Sequence, residues 1–174
     1  RTDDRFAEWR RDDMDLDPLG GNAFIDGSML DGNIPGLERA GWAVVSIDDA
    51  GELRYAAWGH LPGHLPQHSG AAECWAYLIF LRLVAAPPVR GIYSDYAPLV
   101  RKLREGLGQV SSMEAWAYAA VWEGIWAKLR DYGGERARWL PSKTKAHARK
   151  KHTQVDPYLA WQRIGNDFAD KHAK

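Results

Sequence analysis

Apolar residues concentrate in three short segments of the first third of the chain, each bounded by Gly, Pro or Asp. The segments cover residues 23–25, 41–48 and 52–61. The DDAG sequence between the second and third is typical of a tight turn, so these two predict a β-hairpin. Residues 29–40 are rich in Gly and Pro and predict a loop before the hairpin.

Beyond residue 70 the apolar spacing changes to that of helices. Helices are predicted over residues 71–86, 97–106 and 111–134, with a short terminal helix over 165–174. Two further strands are predicted at 90–95 and 137–147, and Pro141 makes the second an edge strand or a bulge. Three strands, then helix, strand, two helices, strand and helix predict an α/β fold with strands 1–3 antiparallel and the later strands parallel.

The composition suits one folded domain. The chain has 174 residues, 45% of them hydrophobic, which is enough for a core. Residues 1–21 are acidic and are interpreted as an extension or linker, with a single domain over 22–174. The sequence has one cysteine, Cys74, and neither a long apolar run nor a signal peptide, so we expect an intracellular protein of the cytoplasm or nucleus without a membrane anchor.

The net charge of zero hides an uneven distribution. Residues 136–151 contain seven Lys or Arg and no carboxylate. Such a stretch is able to contact a polyanion, and it is equally typical of a solvated loop.

Three carboxylates occupy positions that suggest chemistry. Asp26 and Asp95 each follow an apolar strand, and Glu73 lies in the first turns of the first long helix. Asp26 alone would suit a surface turn, because Asp-Gly is a common turn pair. However, ligand sites of α/β sheets lie beyond the carboxyl ends of strands, and converging carboxylates need protons or cations to offset their repulsion. Hard oxygen ligands favour Mg²⁺ or Mn²⁺.

In this order the motifs resemble the ribonuclease H family. The resemblance rests on IDGS with Asp26, AAECWA with Glu73, YSD with Asp95 and GNDFAD with Asp170, and it covers residues 22–174. It implies a five-stranded mixed sheet with helices on both faces. The layout is similar to ribonuclease H domains encoded beside reverse transcriptases in retroelements, which implies an RNA–DNA hybrid as substrate and a reverse transcriptase in the same polyprotein as a partner.

The resemblance also implies a mechanism. The family hydrolyses the RNA strand of RNA–DNA hybrids with two Mg²⁺ ions, for which Mn²⁺ can substitute, held by the four carboxylates. Asp26 would bridge both ions, with Glu73 and Asp95 on one and Asp170 on the other. His147, within a KAH sequence after the last strand, would move protons or assist product release.

Two alternatives remain at the histidine position. His147 also suits an exposed loop residue, and Lys143 lies where a shorter alignment would place the histidine.

The residues expected to contact the hybrid are small or basic and flank the carboxylates. They are Gly27, Ser28, Ser69, Lys145, Arg149 and Lys150. The basic protrusion of bacterial members is missing, because residues 106–112 are short and uncharged. Two other functions stay open: a non-catalytic domain of this fold that positions nucleic acid or a polymerase, and another nuclease of the same superfamily.

Overall fold

A computed structural model describes residues 5–30, 38–105, 118–132, 137–144 and 157–174. The strands are β1 Ala7–Arg10, β2 Ala23–Leu30, β3 Arg39–Ile47, β4 Leu53–His60, β5 Ile92–Ser94 and β6 Ser142–Lys143. The helices are α1 Ser69–Leu83, α2 Ala97–Glu105, α3 Ala119–Tyr132 and α4 Pro157–Ala173. The predicted order of strands and helices from β2 onwards is confirmed.

The strands form one mixed sheet in the order β1-β4-β3-β2-β5-β6. β2, β3 and β4 pair antiparallel, whereas β5 pairs parallel with both β2 and β6, as the sequence predicts. The described part of the chain has six strands, so the expected number of five is wrong. The additional strand is β1, which lies in the acidic segment and pairs antiparallel with β4. Its few alternating residues, AEWR, are too short to predict a strand before a partner edge is known.

Two hydrophobic cores lie on opposite faces of the sheet. Along β2, Ala23 and Ile25 pack into the larger core with α1, α2 and α3, while Phe24 packs into the smaller core beneath α4. This alternation follows from the two-residue period of a strand. The prediction of helices on both faces is therefore confirmed, and residues that share the parity of Phe24 face α4.

The last helix is longer than predicted. It begins at Pro157, because proline is well suited to the first helical position, and it runs for 17 residues. Trp161 explains the added turns: its ring lies 5.3 Å from that of Phe24 and 6.0 Å from that of Tyr93, so this part of the helix covers the smaller core. Leu159, Trp161 and Ile164 are apolar, but this run is short and follows a polar stretch, so no helix was predicted before residue 165.

Two other boundaries also differ from the prediction. Helix α1 begins at Ser69, because the His68 ring Nδ1 accepts the backbone N–H of Ala71 and caps the helix. β6 is confined to two residues at the edge of the sheet, where Pro141 limits pairing. Residues 137–139, predicted as strand, form a helical turn instead. The predicted boundaries at 106, 111 and 133–134 lie outside the described residues.

Candidate metal centre

The pairing of β2 with β5 brings two aspartates side by side. Ile25 lies opposite Ser94 in the parallel ladder, so the next residue of each strand segment is an aspartate, Asp26 or Asp95. Asp26 does not end its strand as expected, because β2 continues to Leu30 along β3. The neighbour β5 is the strand that ends here, and its short length opens the sheet beside Asp26.

Glu73 reaches the same place from α1. Beyond Ile25, no strand among the described residues pairs with β2 on the β5 side, and Glu73 Oε1 accepts the Gly27 N–H there at 2.9 Å. The helix comes this close because residue 27 is glycine: a Cβ atom would lie 2.5 Å from the Glu73 nitrogen and 2.8 Å from Ala72 Cβ. Gly27 therefore fixes the distance between β2 and α1 at the candidate site.

Ser94 holds the second oxygen of Glu73. Its hydroxyl donates to Glu73 Oε2 at 3.1 Å and accepts the Tyr96 N–H at 3.2 Å. Ser94 is fully buried, and its carbonyl accepts the Thr144 N–H from the end of β6. Both oxygens of the glutamate are thus oriented by groups on β2 and β5, and the carboxyl group is aimed at the end of β5.

The three carboxyl groups form one cluster. One oxygen each of Asp26, Glu73 and Asp95 lies within 4.8 Å of the others. Asp26 is 4% exposed and Glu73 2% exposed, whereas Asp95 is half-buried. Three acidic groups so close together, two of them buried, repel one another unless protons or a cation are bound.

The pKa values of the cluster respond to this crowding. Burial, followed by the charges of Asp95 and Asp170, raises the pKa of Asp26 from 3.8 to about 7, against a lowering effect of its hydrogen bond with Glu73. Burial and the same hydrogen bond raise the pKa of Glu73 well above its ordinary value. Without a cation, the cluster therefore retains protons that free carboxyl groups would lose.

This donor set fits a divalent cation. All three groups offer oxygen, Glu73 is pre-oriented by Gly27 and Ser94, and a bound cation would offset the repulsion among the carboxylates. Oxygen-only ligands favour Mg²⁺ or Mn²⁺ over softer metals.

Asp170 approaches the cluster from α4. It contributes to the raised pKa of Asp26 by its charge and by a hydrogen bond between the two side chains. It lies outside the group of three and is more exposed than Asp26 and Glu73, and Lys174 Nζ contacts Asp170 Oδ2 at 2.9 Å. The acidic cluster and its partner Asp170 thus lie where β2, α1, β5 and α4 meet.

The small residues expected to contact substrate have partners within the chain. The Gly27 N–H is bonded to Glu73, and the Ser28 hydroxyl donates to the Ala173 carbonyl at 3.0 Å. Ser69 is exposed at the start of α1. The remaining site residues expected from the sequence, His147, Lys145, Arg149 and Lys150, lie outside the described residues.

Two residues of the site were not predicted. Ser94, which orients Glu73, precedes Asp95 in the YSD sequence, and a buried serine at a strand end beside an aspartate is the only signal it gave. Lys174 follows Asp170 by four residues, the spacing at which oppositely charged side chains meet on a helix, and that spacing could have predicted their contact.

The similarity of this chain to known proteins is one of fold. No family model and no curated protein matches the sequence. The structure is similar to the native prototype foamy virus protease-reverse transcriptase, with a TM-score of 0.56 and 18% identity, over 88% of this chain and 20% of that chain. It is also similar to a foamy viral protease-reverse transcriptase in complex with dsDNA, with a TM-score of 0.56 and 19% identity, over 88% of this chain and 91% of that chain.

Strand order, strand directions and these structural neighbours together define the fold class. The chain has a ribonuclease H-like fold: a mixed α/β sheet flanked by helices on both faces. The chain spans 20% of the first neighbour, so the likeness concerns one part of that protein. In the described residues, no helix is both long and apolar enough to span a membrane.

Proposed function

We propose that this chain is a ribonuclease H domain that hydrolyses the RNA strand of RNA–DNA hybrids with divalent cations. The observation that carries the proposal is the cluster of Asp26, Glu73 and Asp95 at the end of β5, within a ribonuclease H-like fold. The similarity to foamy virus protease-reverse transcriptases supports a retroelement setting with a reverse transcriptase in the same polyprotein.

Asp26, Glu73, Asp95 and Asp170 would hold the metal ions, Mg²⁺ or Mn²⁺. Bound there, two such ions would supply an activated water on one side of the scissile phosphate and charge stabilisation of the leaving 3′ oxygen on the other. Glu73 and Asp95 would belong to one ligand set and Asp170 to the other, and Asp26, whose side chain lies beside both Glu73 and Asp170, would contribute to both sets. Gly27 and Ser94 would keep Glu73 in a fixed orientation, so that ligands do not reorganise when a metal binds.

The remaining roles belong to residues outside the described part of the chain and to small residues beside the carboxylates. His147 would transfer a proton or assist product release, since an imidazole titrates near neutral pH. Lys145, Arg149 and Lys150 would contact phosphates, and Gly27, Ser28 and Ser69 would lie near the RNA strand. Ribose 2′-hydroxyls would distinguish RNA from DNA.

We further propose that residues 22–174 form the catalytic domain and that the protein acts inside the cell.

Incubation with labelled RNA–DNA hybrid, duplex RNA and duplex DNA tests the proposal, each with Mg²⁺, with Mn²⁺ and with chelator. We expect metal-dependent cleavage of the RNA strand of the hybrid alone. Binding of hybrid without cleavage would instead identify a non-catalytic domain that positions nucleic acid. Cleavage of duplex DNA or of both strands would indicate another nuclease of the same superfamily.

A further inference from the structure

A shallow groove of about 430 Å³ lies between α2 and the edge strand β6. Its lining residues are Ala97, Val100, Arg101, Arg104, Glu105 and Lys143. Three of these side chains are cationic and one is anionic, so the groove carries a positive charge. None of these lining residues belongs to the carboxylate cluster.

The positive charge of the groove follows from how α2 packs. Leu99, Val100 and Leu103 are buried against the core, which leaves Arg101 and Arg104, one turn apart, on the outer face. Arg101 is 3.9 Å from Glu105, a long contact between two side chains that are more than half exposed. Such an exposed pair is weak and easily exchanged for another anion.

The ladder between β5 and β6 places the groove next to the candidate metal centre. Lys143 lies opposite Ser94, and Ser94 immediately precedes Asp95. Neighbouring strands are about 4.8 Å apart, so the backbone of Lys143 is one strand spacing from the end of β5. Helix α2 begins two residues after Asp95. A polymer bound at the cluster would therefore lie close to the groove.

A second groove of the molecule provides a contrast. Near the turn between β3 and β4, Arg11, Arg54 and Arg90 line a cavity, yet each forms an ion pair with an aspartate. Those pairs are with Asp48, Asp15 and Asp49, respectively, so the charges there are balanced within the chain. In the groove between α2 and β6, cations exceed carboxylates by two.

We propose that the α2–β6 groove binds the phosphate backbone of the hybrid next to the cleavage site. This inference rests on the proposed function. Arg101 and Arg104 would bind phosphates from the helix, with Lys143 binding from the strand. An extended polyanion fits because the groove is open and its charges are spread along one turn of helix rather than focused on a point.

The test compares two double variants with equal loss of charge. Arg101→Gln with Arg104→Gln removes two cations from the groove, and Arg11→Gln with Arg90→Gln removes two from the cavity near the turn between β3 and β4. Binding of labelled hybrid is measured at several salt concentrations with Ca²⁺ in place of Mg²⁺, and cleavage is measured with Mg²⁺. Thermal melting verifies that each variant is folded, and Arg104→Gln alone carries the test if the groove double variant does not fold.

We expect the groove variant to bind about tenfold more weakly per lost contact, with a salt dependence flatter by about two units of slope. Its KM should rise while kcat stays near the wild-type value, and the control should match the wild type. Unchanged binding by the groove variant, or equal weakening of binding in both variants, overturns the groove proposal. In that case, cleavage of the hybrid by the wild type still supports the proposed function. A wild type that binds hybrid through the groove but never cleaves upholds the groove and overturns the function.

Discussion

The backbone N–H of Gly27 donates to Glu73 Oε1 across the contact between β2 and α1, and a methyl group on Gly27 would meet the Glu73 nitrogen at 2.5 Å. The strand and the helix are therefore as close as glycine permits. The atom that would obstruct the methyl group belongs to the backbone of α1, so it can move only if the whole helix moves. This contact connects the packing of the fold directly to the orientation of a candidate metal ligand.

Gly27→Ala should damage both stability and metal binding. Pushing α1 away from β2 costs about 1–3 kcal/mol, as for other overpacked sites, and it displaces Glu73 from Asp26. We expect a lower melting temperature and weaker stabilisation by Mg²⁺, both measured by thermal unfolding. Gly63→Ala is the control, because a Cβ atom at Gly63 meets no atom within 4 Å. A Gly27→Ala variant with the wild-type Mg²⁺ response would contradict the role of this close approach.

Ser94→Ala tests how strongly Glu73 needs its orienting hydroxyl. The change removes the donor to Glu73 Oε2 but leaves the carbonyl that pairs with Thr144. Loss of such a supporting bond weakens metal affinity by about 10–100-fold in known metal sites. Titration with Mn²⁺, followed by its paramagnetic signal, measures the change. The Ser94→Thr variant keeps a hydroxyl. It should bind Mn²⁺ more tightly than Ser94→Ala if the hydrogen bond to Glu73 matters, and no more tightly if only the volume of the side chain matters.

The sequence predicted most of the fold because its signals were local. The hairpin turn, the prolines that end helices and the helical spacing of apolar residues are each visible within a few residues. The order of the motifs then indicated the strand topology. β1 and the first turns of α4 escaped prediction since they depend on distant partners: β1 on the free edge of β4, and Trp161 on Phe24 and Tyr93. Neither partner can be identified from the segment itself.

The sequence predicted which carboxylates lie close together in the candidate site, but not which groups position and orient them. Asp26, Glu73 and Asp95 were expected to converge, and they do. That Asp26 lies inside a strand, however, follows from the unequal lengths of β2 and β5, a property of the sheet rather than of either segment. The bond from Ser94 to Glu73 spans 21 residues and no sequence period connects them.

Asp26→Asn should leave the fold intact and abolish hybrid cleavage. The amide is nearly isosteric with the carboxylate and removes a charge that burial and two neighbouring aspartates disfavour. Without metal, stability should therefore hold or rise, while stabilisation by Mg²⁺ decreases. Unfolding curves with and without Mg²⁺ and a hybrid cleavage assay measure these effects. Asp167→Asn, at an exposed ion pair with Arg163 on the same helix as Asp170, is the control and should cleave normally. Turnover by the Asp26→Asn variant at the wild-type rate would exclude Asp26 as a metal ligand.

The stability of the metal-free protein should depend on pH in a defined direction. The pKa of Asp26 is about 7 in the folded chain, against 3.8 for the free side chain. Protonated Asp26 therefore contributes its full stabilisation of the folded state below pH 3.8. This contribution is lost as the pH rises through about 7. Glu73, whose pKa is also raised, acts in the same direction.

Thermal unfolding in chelator across this range measures the effect: the melting temperature of the wild type should fall with increasing pH relative to that of the Asp26→Asn variant, which lacks this titration. Mg²⁺ should restore stability most at the upper end, because it binds the deprotonated cluster of the folded state. A difference between the two melting temperatures that stays constant, or that changes in favour of the wild type as the pH rises from 3.8 to about 7, would contradict the expected direction.

His147→Ala addresses the histidine predicted from the sequence. If the imidazole moves protons or assists product release, its loss should slow turnover by a factor of about 10²–10⁴, while hybrid affinity changes little because the carboxylates and phosphate contacts remain. Steady-state kinetics and equilibrium binding separate the two effects. Neutralising Arg149, Lys150 and Lys151 together should do the reverse, weakening binding and flattening its salt dependence by about one unit of slope per lost phosphate contact.

Lys143→Ala decides between the two alignments of this histidine. Lys143 lies on β6 opposite Ser94, exposed and in the groove beside α2, a position that suits a phosphate contact. We therefore expect this variant to raise KM and to keep kcat, whereas His147→Ala lowers kcat. A rescue experiment with imidazole should restore turnover only to the His147→Ala enzyme, since a small diffusible base replaces a lost proton carrier but not a lost phosphate contact. The opposite pattern, with kcat lost in Lys143→Ala and kept in His147→Ala, would assign the catalytic position to residue 143.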